Sequence, residues 1–139
     1  MQTKQKQMMQ AYTKLPLPLT PDNFTPLSRT PWGGPFITEQ LKDRICPNRI
    51  GEKVGESWDF SFDPSFPSVV LGSSVTLKEM VESFPIDLLS AEFWKEQGTN
   101  AGCELLVKVL AAAEDLSVQV HPDDADPFLK ADECGKFEA

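Results

Sequence analysis

Leu116-Ser117-Val118-Gln119-Val120-His121-Pro122-Asp123-Asp124 alternates without a break up to its proline. Leu116, Val118 and Val120 fall on one register, and Ser117, Gln119 and His121 on the other. Successive side chains of a strand point to opposite faces, and alternate residues on one face lie roughly 6.8 Å apart. The stretch is therefore predicted to be a strand with one apolar and one polar face, on which Gln119 and His121 can converge on one ion. His121 is the single histidine of the chain. Pro122 cannot donate to a ladder, so it ends the strand or forces a bulge and leaves the polar set at a strand's end. Period alone favours the plainer reading, a strand with one face in the core and one in water.

The tail, Glu133-Cys134-Gly135-Lys136-Phe137-Glu138-Ala139, places a second polar set beyond a glycine, with Lys136 and Glu138 alternating around Phe137. Taken alone, Glu138 reads as an exposed carboxylate and Lys136 as a solvated lysine pairing with Glu133. Asp123 and Asp124 read as turn-formers after Pro122.

Working outward, Leu105 to Ala112 is dominated by Leu and Val, and Cys103 to Ala112 is predicted to be a buried strand interrupted by Lys108. A lysine in an apolar strand must find a partner or reach the rim. Further upstream, Trp58, Phe60 and Phe62 alternate with Ser57, Asp59 and Ser61, the pattern of a half-buried strand. Ser68 to Leu71 is a short strand ended by Gly72. Thr76-Leu77-Lys78-Glu79 has the form of a capping box and predicts a helix through Ser83. A second helix is predicted from Ser90 to Gln97, with Phe93 and Trp94 inward, and an earlier one over Phe36 to Arg44, with Phe36, Ile37 and Leu41 on one side and Lys42 outward. Cys46 to Lys53 is loop. From Leu15 to Pro35, prolines at positions 16, 18, 21, 26, 31 and 35 predict an extended wrap anchored by Leu17, Leu19, Phe24 and Trp32. Gly33-Gly34 is read as a tight turn. Residues 1–14 are expected to be a disordered or loosely helical tail.

A chain of 139 residues with 40% hydrophobic content and a mean hydropathy of −0.28 suits one ordinary domain with a real core. A net charge of −8 argues against nucleic acid, whose phosphates need basic surface. A phosphorylated small molecule remains compatible if a few cations gather locally. No apolar run reaches membrane-spanning length, so no membrane association is expected. The first residues lack the apolar centre of a signal peptide, making a cytoplasmic location the default. Cys46, Cys103 and Cys134 have no paired spacing, so neither a disulfide framework nor a Cys-rich zinc site is indicated, and Cys134 reads as a bystander thiol.

"LSVQVHPDD" followed by "GKFEA" resembles type I phosphomannose isomerase, a zinc enzyme family on a cupin fold. "TPWGG" at Thr30 to Gly34, "GESWDFS" at Gly55 to Ser61, "SVVLG" at Ser68 to Gly72 and "LLVKVLAA" at Leu105 to Ala112 follow in the family's order. The resemblance covers about Leu15 to Ala139. It implies a mainly β fold with short helices, a cupin-like (RmlC-like jelly roll) β-barrel left incomplete in this chain, so that residues 15–139 are the N-terminal part of the family's domain. It also implies a Zn²⁺ ion held by Gln119, His121 and Glu138, with a fourth ligand, a histidine, beyond residue 139. Lys136 would sit in the active site, and Lys108 and Ser117 on the phosphate side of a phosphosugar pocket. The implied reaction is the interconversion of mannose 6-phosphate and fructose 6-phosphate through a cis-enediol, with the fragment alone inactive. Two other readings stand beside it: a cupin-like sugar- or metal-binding module without turnover, and a truncated, nonfunctional product.

Overall fold

The computed structural model describes residues 7, 10–12, 14–97, 105–129 and 135. Strand β1, Glu56–Phe60, pairs antiparallel with β2, Val107–Leu110. Glu56 lies opposite Leu110, Ser57 opposite Val109 and Trp58 opposite Lys108, and the register shifts before Phe60 meets Val107. The proline-rich wrap lies along the other edge of β1. Thr25 N–H donates to the Glu56 carbonyl at 2.9 Å and Trp58 N–H to the Asn23 carbonyl at 2.9 Å. Proline removes donors, and contact is made by single bridges such as Phe24 with Ser57 and Leu19 with Val70 rather than by a ladder.

This arrangement corrects the half-buried strand expected around Trp58. Ser57 and Ser61 are as buried as Trp58 and Phe62. Ser61 is paired with Ser68, and Ser57 is covered by Lys42, predicted to face water but only 7% exposed. Its ammonium donates to the Pro21 carbonyl at 2.6 Å, to Ser57 Oγ at 2.9 Å and to the Asp59 carboxylate, covering part of the polar face of β1. The predicted Phe36–Arg44 helix is a single π-type turn, Ile37–Leu41, which buries Ile37 and leaves Phe36 and Leu41 exposed. Gly33 and Gly34 are not chiefly a turn. They bridge Ala112 and Val54, bringing the wrap against the chain on either side of the β1–β2 pair.

Among the described residues, three apolar clusters hold the body. Phe24, Ile37, Cys46 and Val54 pack beneath Val109 and Ala111. Val70, Val75, Met80 and Phe84 receive Leu17 and Leu19, and also Tyr12. Phe62, Leu77 and Val81 receive Phe60 and Trp94. Helix α1, Leu77–Ser83, turns Leu77, Met80 and Val81 into these clusters. Its predicted capping box is present: Glu79 N–H donates to Thr76 Oγ1 at 3.2 Å, and Thr76 N–H donates to Glu79 Oε2 at 2.8 Å. The Thr76 backbone N–H, and then its hydroxyl, hold the Glu79 carboxyl below its ordinary range. A depressed carboxyl stabilises the fold above its unfolded value, and that stabilisation is lost as pH falls through the folded one. Thr76→Ala is therefore expected to lower stability by about 1 kcal/mol at neutral pH. In urea titrations the difference from wild type should narrow in acid.

Helices α2, Pro85–Leu89, and α3, Ala91–Gln97, follow. Ser90, predicted to open the second helix, instead joins the two at φ +74°, a conformation rare for a residue with a Cβ. Trp94 packs inward as expected, but Phe93 is exposed.

The largest differences lie in the second half. Of the expected strand Cys103–Ala112, residues 103 and 104 lie outside the described residues. Only Val107–Leu110 forms a ladder, with Leu105, Leu106, Val107 and Leu110 exposed rather than buried. Leu116 to His121 carries no strand at all, and Val118 and Val120 are 98% and 92% exposed. Alternation specifies two faces but not a neighbour. Among the described residues no strand runs beside this stretch to accept its backbone hydrogen bonds, and none covers its apolar side. The described residues thus form short helices around a small, open, two-stranded antiparallel sheet. None of those helices is long and apolar enough to cross a membrane.

Candidate functional site

The antiparallel register builds the floor of the site. Glu56 and Trp58 are two apart on β1 and share a face, and Lys108 is paired directly with Trp58. The lysine that the apolar pattern could not accommodate has a partner: its Nζ donates to Glu56 Oε1 at 2.9 Å. The other carboxylate oxygen, Glu56 Oε2, accepts from Trp58 Nε1 at 2.7 Å. Lys108 Nζ also lies 5.7 Å from the centre of the Trp58 ring, within cation–π range. Arg29 stacks on the same indole, its Cζ 4.5 Å from the ring centre.

After β2, Ala112 bridges Gly33, and Ala113 N–H donates to the Trp32 carbonyl at 2.9 Å. The chain then passes back over the floor. The result is an open cleft of about 320 Å³ lined by Trp32, Glu56, Lys108, Leu110, Leu116, Ser117, Gln119 and His121. Four of the six residues singled out in the sequence, Lys108, Ser117, Gln119 and His121, therefore meet at one cleft even though their segment is not a strand. Gln119 Nε2 donates to Ser117 Oγ at 3.2 Å, so the two side chains share a side as the alternation requires.

Lys136 and Glu138 lie outside the described residues. Their neighbour Gly135 is described, and it lies against the turn after His121. Its N–H donates to Asp124 Oδ1 at 2.8 Å, and a Cβ there would meet the Asp123 carbonyl carbon at 2.5 Å. Asp123 is a turn-former as predicted, accepting from Ala125 N–H at 2.8 Å.

Sequence reasoning passed over Glu56 and Trp32 as site residues. Glu56 stood inside the quoted "GESWDFS". The signal was the unexplained Lys108: a lone cation in an apolar strand calls for a carboxylate, and Glu56 heads the neighbouring alternating stretch.

An imidazole and an amide oxygen are donors that Zn²⁺ accepts, the imidazole much the better. Gln119 spends its N–H on Ser117, which keeps its carbonyl oxygen for an electron acceptor. That chemistry fits a metal, though the described residues alone hold no group of three or more His, Cys, Asp or Glu side chains that could bind one.

Residues 26–136 match the family described as phosphomannose isomerase type I, catalytic domain. The chain is similar to a mannose-6-phosphate isomerase of Streptococcus mutans, 34% identical over 77% of this chain and 31% of that protein. It is 33% identical to a putative mannose-6-phosphate isomerase, YvyI, of Bacillus subtilis over 67% of this chain and 27% of the relative. A mannose-6-phosphate isomerase of Ogataea parapolymorpha is 34% identical over 45% and 15%. The chain thus spans about a third or less of the length of these curated relatives. No solved structure matches it.

Proposed function

Because the chain belongs to the phosphomannose isomerase type I family, we propose that it supplies part of the active site of a Zn²⁺-dependent aldose–ketose isomerase interconverting mannose 6-phosphate and fructose 6-phosphate. The observation that carries this reading is the convergence of Lys108, Ser117, Gln119 and His121 on one cleft. The family resemblance adds a cupin-like barrel, to which β1 and β2 would contribute two strands.

Gln119, His121 and Glu138 are the residues that would hold the ion. The chemistry an ion would supply there is Lewis acidity toward the sugar's oxygens, as an isomerisation through a cis-enediol requires. Lys108 offers an ammonium and Ser117 a hydroxyl, donors that can share the oxygens of a phosphate and fix the sugar's orientation. By the resemblance, Lys136 would be among the groups that move a proton between the two carbons or bind a hydroxyl. The family's fourth metal ligand is a second histidine, and His121 is this chain's single one. The isolated chain would therefore hold the ion with three side chains and turn substrate over negligibly.

Calorimetric titration of the Zn²⁺-loaded chain with mannose 6-phosphate tests the reading. Binding should be detectable in the wild type, and Lys108→Met should weaken it by about tenfold to a hundredfold, the equivalent of roughly 1.5–3 kcal/mol for a hydrogen bond to a charged group. Equal affinity in both proteins would move Lys108 out of the site. Absence of binding in the wild type would favour the module without turnover on this sugar.

A further inference from the structure

The mechanism above makes no use of the best-fixed charged group in the cleft, the Glu56 carboxylate. It is buried, it lines the cleft, and it is pinned from two sides by Lys108 Nζ at 2.9 Å and Trp58 Nε1 at 2.7 Å. From this geometry we infer that Glu56 is a specificity-determining residue, which rejects free inorganic anions from the cleft and accepts a hydroxyl of the bound sugar. The inference rests on the phosphosugar reading above.

Two physical points carry it. First, the Lys108 cation on the cleft floor is already compensated. Lys108 and Glu56 cancel at the cleft floor, in a chain whose net charge is −8. A small dianion bound at Lys108 therefore also feels the carboxylate only about one ion-pair length further off, and part of its charge attraction is offset. Second, a carboxylate has about four lone-pair sites, and the two bonds from Lys108 and Trp58 use only two of them. Ionised carboxylates accept from hydroxyls more strongly than neutral groups do. A phosphosugar can therefore recover at Glu56 through a hydroxyl what its phosphate loses there by repulsion. Inorganic phosphate has no such second contact.

The test is a pair of calorimetric titrations of the full 139-residue chain, with mannose 6-phosphate and with inorganic phosphate, at constant pH and low salt. The wild type is expected to favour the phosphosugar. Glu56→Gln keeps the shape and removes the charge. It should tighten inorganic phosphate by about tenfold, from a dianion and a carboxylate some 6 Å apart in a water-like dielectric. Mannose 6-phosphate should bind no more tightly, so the ratio of the two affinities falls by at least that factor. A purely structural role for Glu56 would weaken both ligands together and leave the ratio where it was, which would overturn the assignment. A wild type that binds mannose 6-phosphate no better than inorganic phosphate would overturn the phosphosugar reading and this inference with it. Glutamine has a single acceptor oxygen and leaves either Lys108 or Trp58 unmatched. If thermal melting shows Glu56→Gln unfolded, Glu56→Gln combined with Trp58→Phe removes the surplus donor. The combined variant is then compared with Trp58→Phe alone, which retains the carboxylate and should retain the preference.

Discussion

Replacing His121 by alanine is expected to lower the affinity of the chain for Zn²⁺ by more than about a hundredfold, beyond the effect of losing even an outer-shell partner of a metal ligand. His121 is the single imidazole of the sequence, so no neighbour can substitute. On the proposed ligand set, the donors left would be the amide oxygen of Gln119, a weak ligand, and the carboxylate of Glu138. The hundredfold loss corresponds to about 2.7 kcal/mol. Gln119→Ala should cost less, about tenfold, in keeping with the poorer donor that it removes. Calorimetry at neutral pH separates the two variants. Equal Zn²⁺ affinity in wild type and His121→Ala would remove His121 from the site and reduce the alternation around it to a surface pattern.

Gly33→Ala should destabilise the fold by about 3 kcal/mol or more, at the upper end of what overpacking costs. A Cβ at Gly33 would lie 2.3 Å from the Gly55 nitrogen and 2.6 Å from the Val54 carbonyl carbon. Both obstacles are backbone, so no side-chain rotation relieves the clash. The crossing is tight from its other side as well, because a Cβ at Gly55 would meet Thr30 Cβ at 2.6 Å and Trp32 Cζ3 at 2.8 Å. Displacing the wrap here would also disturb the bridge from Gly33 to Ala112 and with it the approach of the cleft-forming segment. Gly72→Ala is the contrasting case. Gly72 has φ +75° but nothing within 4 Å of its missing Cβ, so only backbone strain opposes the change, about 1 kcal/mol. Chemical denaturation of both variants should show the crossing glycine to matter far more. Similar losses would mean that the crossing yields.

What was legible in the sequence was local. The capping box at Thr76 and Glu79 needs four consecutive residues and nothing else, and it formed as read. The alternation of Ser117, Gln119 and His121 predicted a strand that did not form, although the three residues do line one cleft. What was not legible depended on partners distant in sequence. Lys42 looks like an outward lysine on any helical wheel, yet three oxygens from Pro21, Ser57 and Asp59 make burial tolerable. The apolar register of Leu116, Val118 and Val120 predicts a covered face, and whether anything covers it is not written in those residues. Glu56 escaped notice for the same reason: its meaning comes from Lys108, fifty-two positions away.

The position of β1 between the wrap and β2 sets an order of assembly. One edge of β1 meets residues around Asn23 to Thr25, a closure spanning 31 positions between Thr25 and Glu56. The other meets β2, with 52 positions between Glu56 and Lys108. On a ribosome the first pairing is available as soon as β1 leaves the exit tunnel, while the second waits for about fifty further residues, roughly 3–10 seconds at ordinary elongation rates. During that interval the edge of β1 that β2 will occupy stands open to any other extended chain. β2, when it arrives, closes that edge and in the same step sets Lys108 against Glu56 on the cleft floor.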